Sequence, residues 1–203
     1  NFCVSGLSAI IEGTRRIITG EANLALAGGV ESMSRIPFLK DKAPFYTDLE
    51  LARRMGWMPV GVAADLLAAR KNISRQSLDE MTLLSHRRAA KAWADGHYAD
   101  RVVPVHDKDG QLALGHDENI RDFGDGKKLA AYPPVFQEMG QAGFEPIAAD
   151  HHPDLMPLNY IHSIANCPPI SDGAAMALIG SREQGETLGL KAVAKIKSFA
   201  DVS

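Results

Sequence analysis

Cysteine is scarce: the 203 residues hold two, Cys3 and Cys167. Two thiols build no disulfide framework, and none of the seven histidines stands at structural-zinc spacing from them. A stapled secreted scaffold and a metal site are therefore both excluded from the expected readings. No apolar run approaches the roughly 18 residues of a membrane helix, so no span is expected. Excess charge is also missing: 22 basic and 25 acidic side chains leave a net of −3, too little for a chain-wide polyanion binder, so nucleic acid is not an expected partner. The opening residues carry no signal-peptide pattern, and the expected compartment is the cytoplasm. Aromatic residues make up only 6%, yet 45% of the chain is hydrophobic, enough for a real core. The sequence opens at Asn1 rather than Met and stops in what reads as mid-strand, so a piece of a longer protein is expected.

Residues 5–20 read as a helix, with Leu7, Ile10, Ile11, Thr14, Ile17 and Ile18 at helical spacing, Ser5 as N-cap and Gly20 as terminator. Leu24–Ala27, before Gly28-Gly29, suits a buried strand. From about 36 to 159 the texture changes. Helices are expected at 61–70 and from Ser74 onward, the second with a capping box from Ser77 and Glu80 and an apolar face of Leu78, Met81, Leu84, Ala89 and Trp93. Arg101–Val105 and Gln111–Leu114 around Asp109-Gly110 read as a hairpin, followed by a loop-rich stretch to Pro157. Strands are expected at 159–164, 174–179 and 192–199, with a turn at Asp172-Gly173 and a short helix at 181–188. The expected fold is a layered α/β core interrupted by an insertion of about 120 residues.

Charge is unevenly divided. Residues 53–91 hold eight basic side chains against three acidic, and residues 92–160 hold five against twelve. The first stretch fits either a solvated helix pair or a surface facing a phosphate-bearing ligand. Cys3 precedes a helix start, where open amides and the positive end of the dipole favour thiolate and can hold a developing oxyanion. An isolated cysteine is more often a small buried hydrophobe. Cys167, in Asn166-Cys167-Pro168-Pro169, has no helix start within reach and reads as structural. His151 and His152 read as exposed; His162 fits either a satisfied core histidine or a group that orients a neighbour. Gly28-Gly29 does not fit a phosphate-cradling pattern.

Four segments in register carry a family likeness. Asn1-Phe2-Cys3-Val4-Ser5-Gly6-Leu7-Ser8-Ala9-Ile10 resembles the active-site cysteine segment of the thiolases, and Ala27-Gly28-Gly29-Val30-Glu31-Ser32-Met33-Ser34 resembles their following strand and turn. Ile73-Ser74-Arg75 with its helix, then Arg101-Val102-Val103-Pro104-Val105, resembles their inserted loop domain. Asn166 and Ser171-Asp172-Gly173-Ala174-Ala175 resemble the return to the core sheet. The resemblance implies a thiolase-like α/β/α core, partial here, in which residues 1–189 belong to the N-terminal domain, about 36–159 to the loop domain, and 190–203 to the start of a C-terminal domain. It implies an acyl-CoA C-acyltransferase that cleaves 3-ketoacyl-CoA with CoA, or condenses acyl-CoA in reverse, through an acylated cysteine. Cys3 matches that nucleophile, its amide contributing to an oxyanion hole. CoA is then a substrate, with no further cofactor or metal, and the assembly a homodimer or homotetramer.

Three departures mark the likeness. Val4 stands where a small residue is usual, Pro59-Val60-Gly61 where many members have His-Met-Gly, and Asn166-Cys167-Pro168-Pro169 where they have Asn-Ala-Ser-Gly. Val60, Cys167, Pro168 and Pro169 are thereby the implied substrate-channel positions. Trp57-Met58-Pro59 resembles some bacterial degradative members more than the short-chain biosynthetic ones. The family's catalytic histidine, second cysteine and water-holding asparagine are expected beyond Ser203, so residues 1–203 alone are expected to be inactive. A non-catalytic acyl-CoA-binding or carrier-type paralogue is the alternative, suggested by Pro168 and Pro169.

Overall fold

The computed structural model describes residues 2–37 and 40–200. In chain order its elements are α1 (Ser5–Ile18), β1 (Leu24–Ser32), α2 (Pro44–Thr47), α3 (Leu49–Met55), α4 (Val60–Lys71), α5 (Arg75–Ala94), β2 (Val105–His106), β3 (Leu112–Leu114), α6 (Gln137–Met139), α7 (Glu145–His151), β4 (Asp172–Gly180) and α8 (Arg182–Thr187). They divide into two compact units, Asn1–Lys40 with Ile170–Ser203, and Asp41–Pro169.

In the first unit, β1 and β4 form an antiparallel ribbon in continuous register from Leu24↔Gly180 to Ser32↔Asp172. The pairing carries β1 straight through Gly28-Gly29, well past the expected end at Ala27. The strand is also not buried as expected: only Ala27 is, because α1 covers one face of a two-stranded ribbon and Leu26, Val30, Met176 and Leu178 stay exposed. Gly13 lets the helix lie close. A Cβ there would meet Ile179 Cδ1 at 3.3 Å and Ala25 Cβ at 3.4 Å. Gly20, at φ +77°, ends the helix in the left-handed region where glycine carries no Cβ penalty. Ser5 is not the N-cap. A 3-10 turn over Phe2–Val4 runs straight into α1, leaving Val4 at the cap position and Ser5 Oγ donating back to Phe2 O at 2.8 Å. Residues 191–200 take no strand, because no ladder reaches them; Arg15 instead places its guanidinium 5.3 Å from the Phe199 ring centroid.

The second unit has its core among Ala52, Val62, Leu66, Phe144, Ile147, Ala148, Leu158 and Tyr160, with Trp57 and Met58 packed against it. Burying the Val, Leu, Ile and Phe side chains among them contributes about 1.5–3 kcal/mol each. α4 supplies Val62, Asp65, Leu66 and Ala68 to the interior. α5 is capped by Ser74, whose Oγ accepts from Ser77 N at 3.1 Å. The Ser77–Glu80 capping box is absent, since Ser77 already lies in the first turn; Glu80 instead accepts from Gln76 Nε2 at 2.8 Å. The inward face of α5 is also turned from the expected one: Thr82, Leu83 and His86 are half-buried beside Leu78, Ala89 and Trp93, while Met81 and Leu84 are exposed. His86 accounts for the rotation, taking Arg121 N–H at 3.1 Å and stacking edge-on with Phe123.

Two strand expectations are corrected in this unit. The hairpin shrinks to β2 and β3, its turn held by Asp107 Oδ1, which accepts from Asp109 N and Gln111 N at 2.9 Å each. Residues 159–164 form no ladder. Among the described residues their only pairing is a single bridge, Pro134↔Ser163, because Asp65 takes the amides that a neighbouring strand would take. A 3-10 turn at Ile164–Asn166 then follows.

Candidate active site

Cys3 sits exposed in the 3-10 turn at the mouth of α1, a helix of 14 residues. The turn is strained: Phe2 holds φ +50°, a region that non-glycine residues enter at a cost. The Ser5 hydroxyl locks it from the helix side. Val4, at the cap position, offers no capping oxygen, and no side-chain cap is seen among the described residues. The first turn of α1 also rests on β1, where a Cβ at Gly29 would lie 3.6 Å from Gly6 Cα. Helix-start amides beside an exposed sulfur suit the binding of an oxyanion formed at a carbonyl that the sulfur attacks.

Asp172 closes this same end of the ribbon, paired opposite Ser32. Its carboxylate accepts from Ser34 N at 2.8 Å, Ser34 Oγ at 2.5 Å and Ser32 Oγ at 3.3 Å. Those bonds, with Ser34 Oγ foremost, hold the Asp172 carboxyl below the usual carboxylate range. The residue therefore does more than mark a turn: it is the first residue of β4 and fixes the chain leaving β1.

In the second unit, Cys167 is half-buried and its Sγ donates to Ser163 O at 3.2 Å. Burial, then the charge of Asp65, push this thiol up, which keeps it protonated and a poor nucleophile. Pro168 and Pro169 follow it exposed, and Val60, the first residue of α4, is exposed as well. The turn before Cys167 is held by Asn166. Its Oδ1 accepts from Ser163 N and Oγ at 2.9 Å each, and its Nδ2 donates to Asp79 Oδ1 and Thr82 Oγ1 at 3.0 Å each. Asp79 in turn takes Arg75 Nε at 2.9 Å, and the Arg75 guanidinium donates to the carbonyls of Leu129 and Tyr132.

His162 pairs with Asp65, Nδ1 to Oδ1 at 2.7 Å. Its role is thus to answer a buried carboxylate. Sequence reasoning passed over Asp65; the available signal was one acid inside the apolar run Val62–Ala69. His151 is exposed, and His152 Nδ1 meets Arg70 at 3.2 Å. Among the described residues, no group of three or more His, Cys, Asp or Glu is arranged to hold a metal ion. Much of the basic stretch has internal partners: Arg53 makes a two-pronged pair with Asp150 at 2.6 Å, and Arg87 donates to Gly124 O at 2.9 Å. Arg54, Lys71 and Arg88 are exposed.

Residues 1–143 match the thiolase N-terminal domain, and the chain belongs to the thiolase family. The 3-ketoacyl-CoA thiolase of Photorhabdus laumondii is 35% identical to it, over 98% of this chain and 47% of that protein. The dimeric peroxisomal thiolase of Saccharomyces cerevisiae superimposes with a TM-score of 0.70 at 25% identity, over 93% of this chain and 44% of that one. Human mitochondrial 3-ketoacyl-CoA thiolase, solved in complex with CoA, does so with a TM-score of 0.69 at 24% identity, over 93% and 45%. The architecture is therefore a partial α/β thiolase fold, and the chain spans about half the length of the curated relatives it matches. No helix among the described residues is long and apolar enough to cross a membrane.

Proposed function

We propose that the protein carrying this chain is an acyl-CoA C-acyltransferase of the thiolase type, with Cys3 as its nucleophile. The supporting observation is an exposed thiol on a strained turn at the start of a 14-residue helix, while the chain's second thiol is half-buried and bonded to a carbonyl. In thiolysis, Cys3 Sγ bonds to the 3-keto carbon, the bond between that carbon and the α-carbon breaks, and the departing carbanion takes a proton to become a shortened acyl-CoA's partner product, acetyl-CoA. The CoA sulfur then takes the acyl group from Cys3, whose proton-transfer partners we assign to the part of the relatives' length that this chain does not span. Condensation is the reverse.

We assign Asp41–Pro169 to the inserted loop domain. That range reaches past 159 because Asp65, Asp79 and Thr82 tie residues 161–166 to it. Residues 190–203 lead, in this reading, toward the second half. Val60, Cys167, Pro168 and Pro169 meet the pantetheine or acyl part of the substrate, and the exposed cations of 53–91 meet its phosphates. The assembly is a homodimer or homotetramer in the cytoplasm, and CoA serves as a substrate with no other cofactor.

Initial-rate kinetics test this reading. Thiolysis of acetoacetyl-CoA should give parallel double-reciprocal lines as CoA is varied, and Cys3→Ala should abolish turnover while Cys167→Ala stays active. Intersecting lines together with an active Cys3→Ala variant would contradict it.

A further inference from the structure

Asp65 is completely buried on α4, and its two carboxylate oxygens are used unequally. Oδ1 accepts three donors: Ile161 N at 2.9 Å, His162 N at 3.1 Å and His162 Nδ1 at 2.7 Å. Oδ2 has no hydrogen-bond partner among the described residues. A buried carboxylate is expensive unless its charge is answered by donors, and here every donor comes from one short run of chain. That run, 158–163, lies in no ladder; among the described residues its amides at 161 and 162 bond to Asp65 alone. The histidine tautomer follows. Nδ1 must carry the hydrogen toward Oδ1, so the ring is fixed in orientation by the same oxygen that holds its backbone.

The run continues directly into Asn166-Cys167-Pro168-Pro169. Asn166 anchors it a second time, to Asp79 and Thr82 on α5. On the near side, α4 carries Val60 at its first residue and Asp65 five residues on. One helix thus bears one channel position of the proposed substrate site and holds in place the chain that bears the others. Asn166 limits the turn itself; Asp65 sets where the run entering that turn begins.

We propose that Asp65, with His162, is a positioning residue for CoA binding: it holds residues 161–163 on α4 so that Cys167, Pro168 and Pro169 meet the ligand in register with Val60. The inference rests on the acyl-CoA reading above. It differs from that reading in naming a buried residue that touches no ligand and acts only through the segment it holds. Removing the carboxylate leaves two amides and a ring N–H unanswered, and the segment must move to find water. Asparagine can keep the accepting oxygen toward all three donors and so hold the segment, although its amide hydrogens then lie unanswered where Oδ2 has no partner and lower stability.

The test uses the intact polypeptide carrying these residues, with CoA itself as the probe. Asp65→Ala should raise the Kd and KM for CoA at least tenfold and speed amide exchange at Ile161 and His162. The rate of Cys3 alkylation by iodoacetamide, which reports the first unit alone, should stay within twofold. Asp65→Asn should bring the Kd back to within threefold of the parent. A loss of folded fraction would lower kcat and leave KM unchanged, so the split separates positioning from mere stability. Wild-type affinity in Asp65→Ala with the amides exposed overturns the proposal, and so does an Asp65→Asn variant as weak as Asp65→Ala. Should Asp65→Ala fail to fold, His162→Gln removes only the ring bond; a threefold or larger rise in Kd supports the proposal and unchanged affinity overturns it. A parent protein that binds no CoA overturns the functional reading, while amide exchange at 161 and 162 still decides whether Asp65 holds the segment.

Discussion

Asn166 offers the sharpest stability test, because its four bonds divide cleanly by what is left behind. In Asn166→Ala, Asp79 keeps its pair with Arg75, and the Thr82 hydroxyl keeps its bond to Leu78 O at 2.9 Å. Ser163, which is completely buried, loses the acceptor of both its amide and its hydroxyl. Two unanswered buried donors cost about 1–3 kcal/mol each, and partial entry of water brings the expected loss to about 2–4 kcal/mol. Against a typical total of about 5–15 kcal/mol that is a large fraction. Asn166→Asp restores the acceptor for Ser163 but sets a carboxylate against Asp79. One of the two carboxyls is then forced up, the folded state binds more protons, and stability falls as pH rises through the carboxylate range. Trp57 and Trp93 both lie in this unit, so urea unfolding followed by tryptophan fluorescence reads both variants. An Asn166→Ala shift under about 0.5 kcal/mol, inside the range of neutral surface changes, would refute the reasoning. So would an Asn166→Asp loss that does not ease toward acid pH.

Further outcomes follow from other parts of the chain. Gly61→Ala should destabilise the second unit by about 1–3 kcal/mol, because the new Cβ falls on the Phe136 ring; an unchanged urea midpoint would show the ring moves freely. Asp172, held below the usual carboxylate range, contributes stability that is present above its unfolded value of about 3.9 and lost as pH falls through its lower folded value. Acid titration of Asp172→Asn should therefore show a shallower loss than the parent, and identical curves would contradict the assignment. CoA affinity should weaken with salt, and again when Arg87 and Arg88 are neutralised, since exposed charges are screened over about 8–10 Å near physiological ionic strength; a flat salt profile counts against the phosphate assignment.

What the sequence disclosed, and what it withheld, divides along the range of the interactions. α1, α4 and α5 were legible because periodicity, Ser74 and Gly20 are local signals, and a short helix was expected where α8 stands. The strand at 159–164 misled because an apolar extended run looks the same whether its amides face another strand or one carboxylate 96 residues away. The run at 192–199 misled for the complementary reason, that a strand pattern specifies no partner. The α5 face was set by His86, which periodicity counts as polar although Arg121 and Phe123 draw it inward. At the candidate site, Cys3 was legible from its place before a helix and from the family likeness. Asp65 was not, because its significance lies in donors distant in sequence.

In the proposed reaction Cys3 is the residue that takes the acyl group. The direct measurement is to mix the intact polypeptide with acyl-CoA in the absence of free CoA, quench in acid, digest, and locate the acyl mass by peptide fragmentation. The account predicts the adduct on Cys3, its discharge on adding CoA, and its absence in Cys3→Ala. An adduct carried by Cys167, or the same labelling in Cys3→Ala, would contradict it.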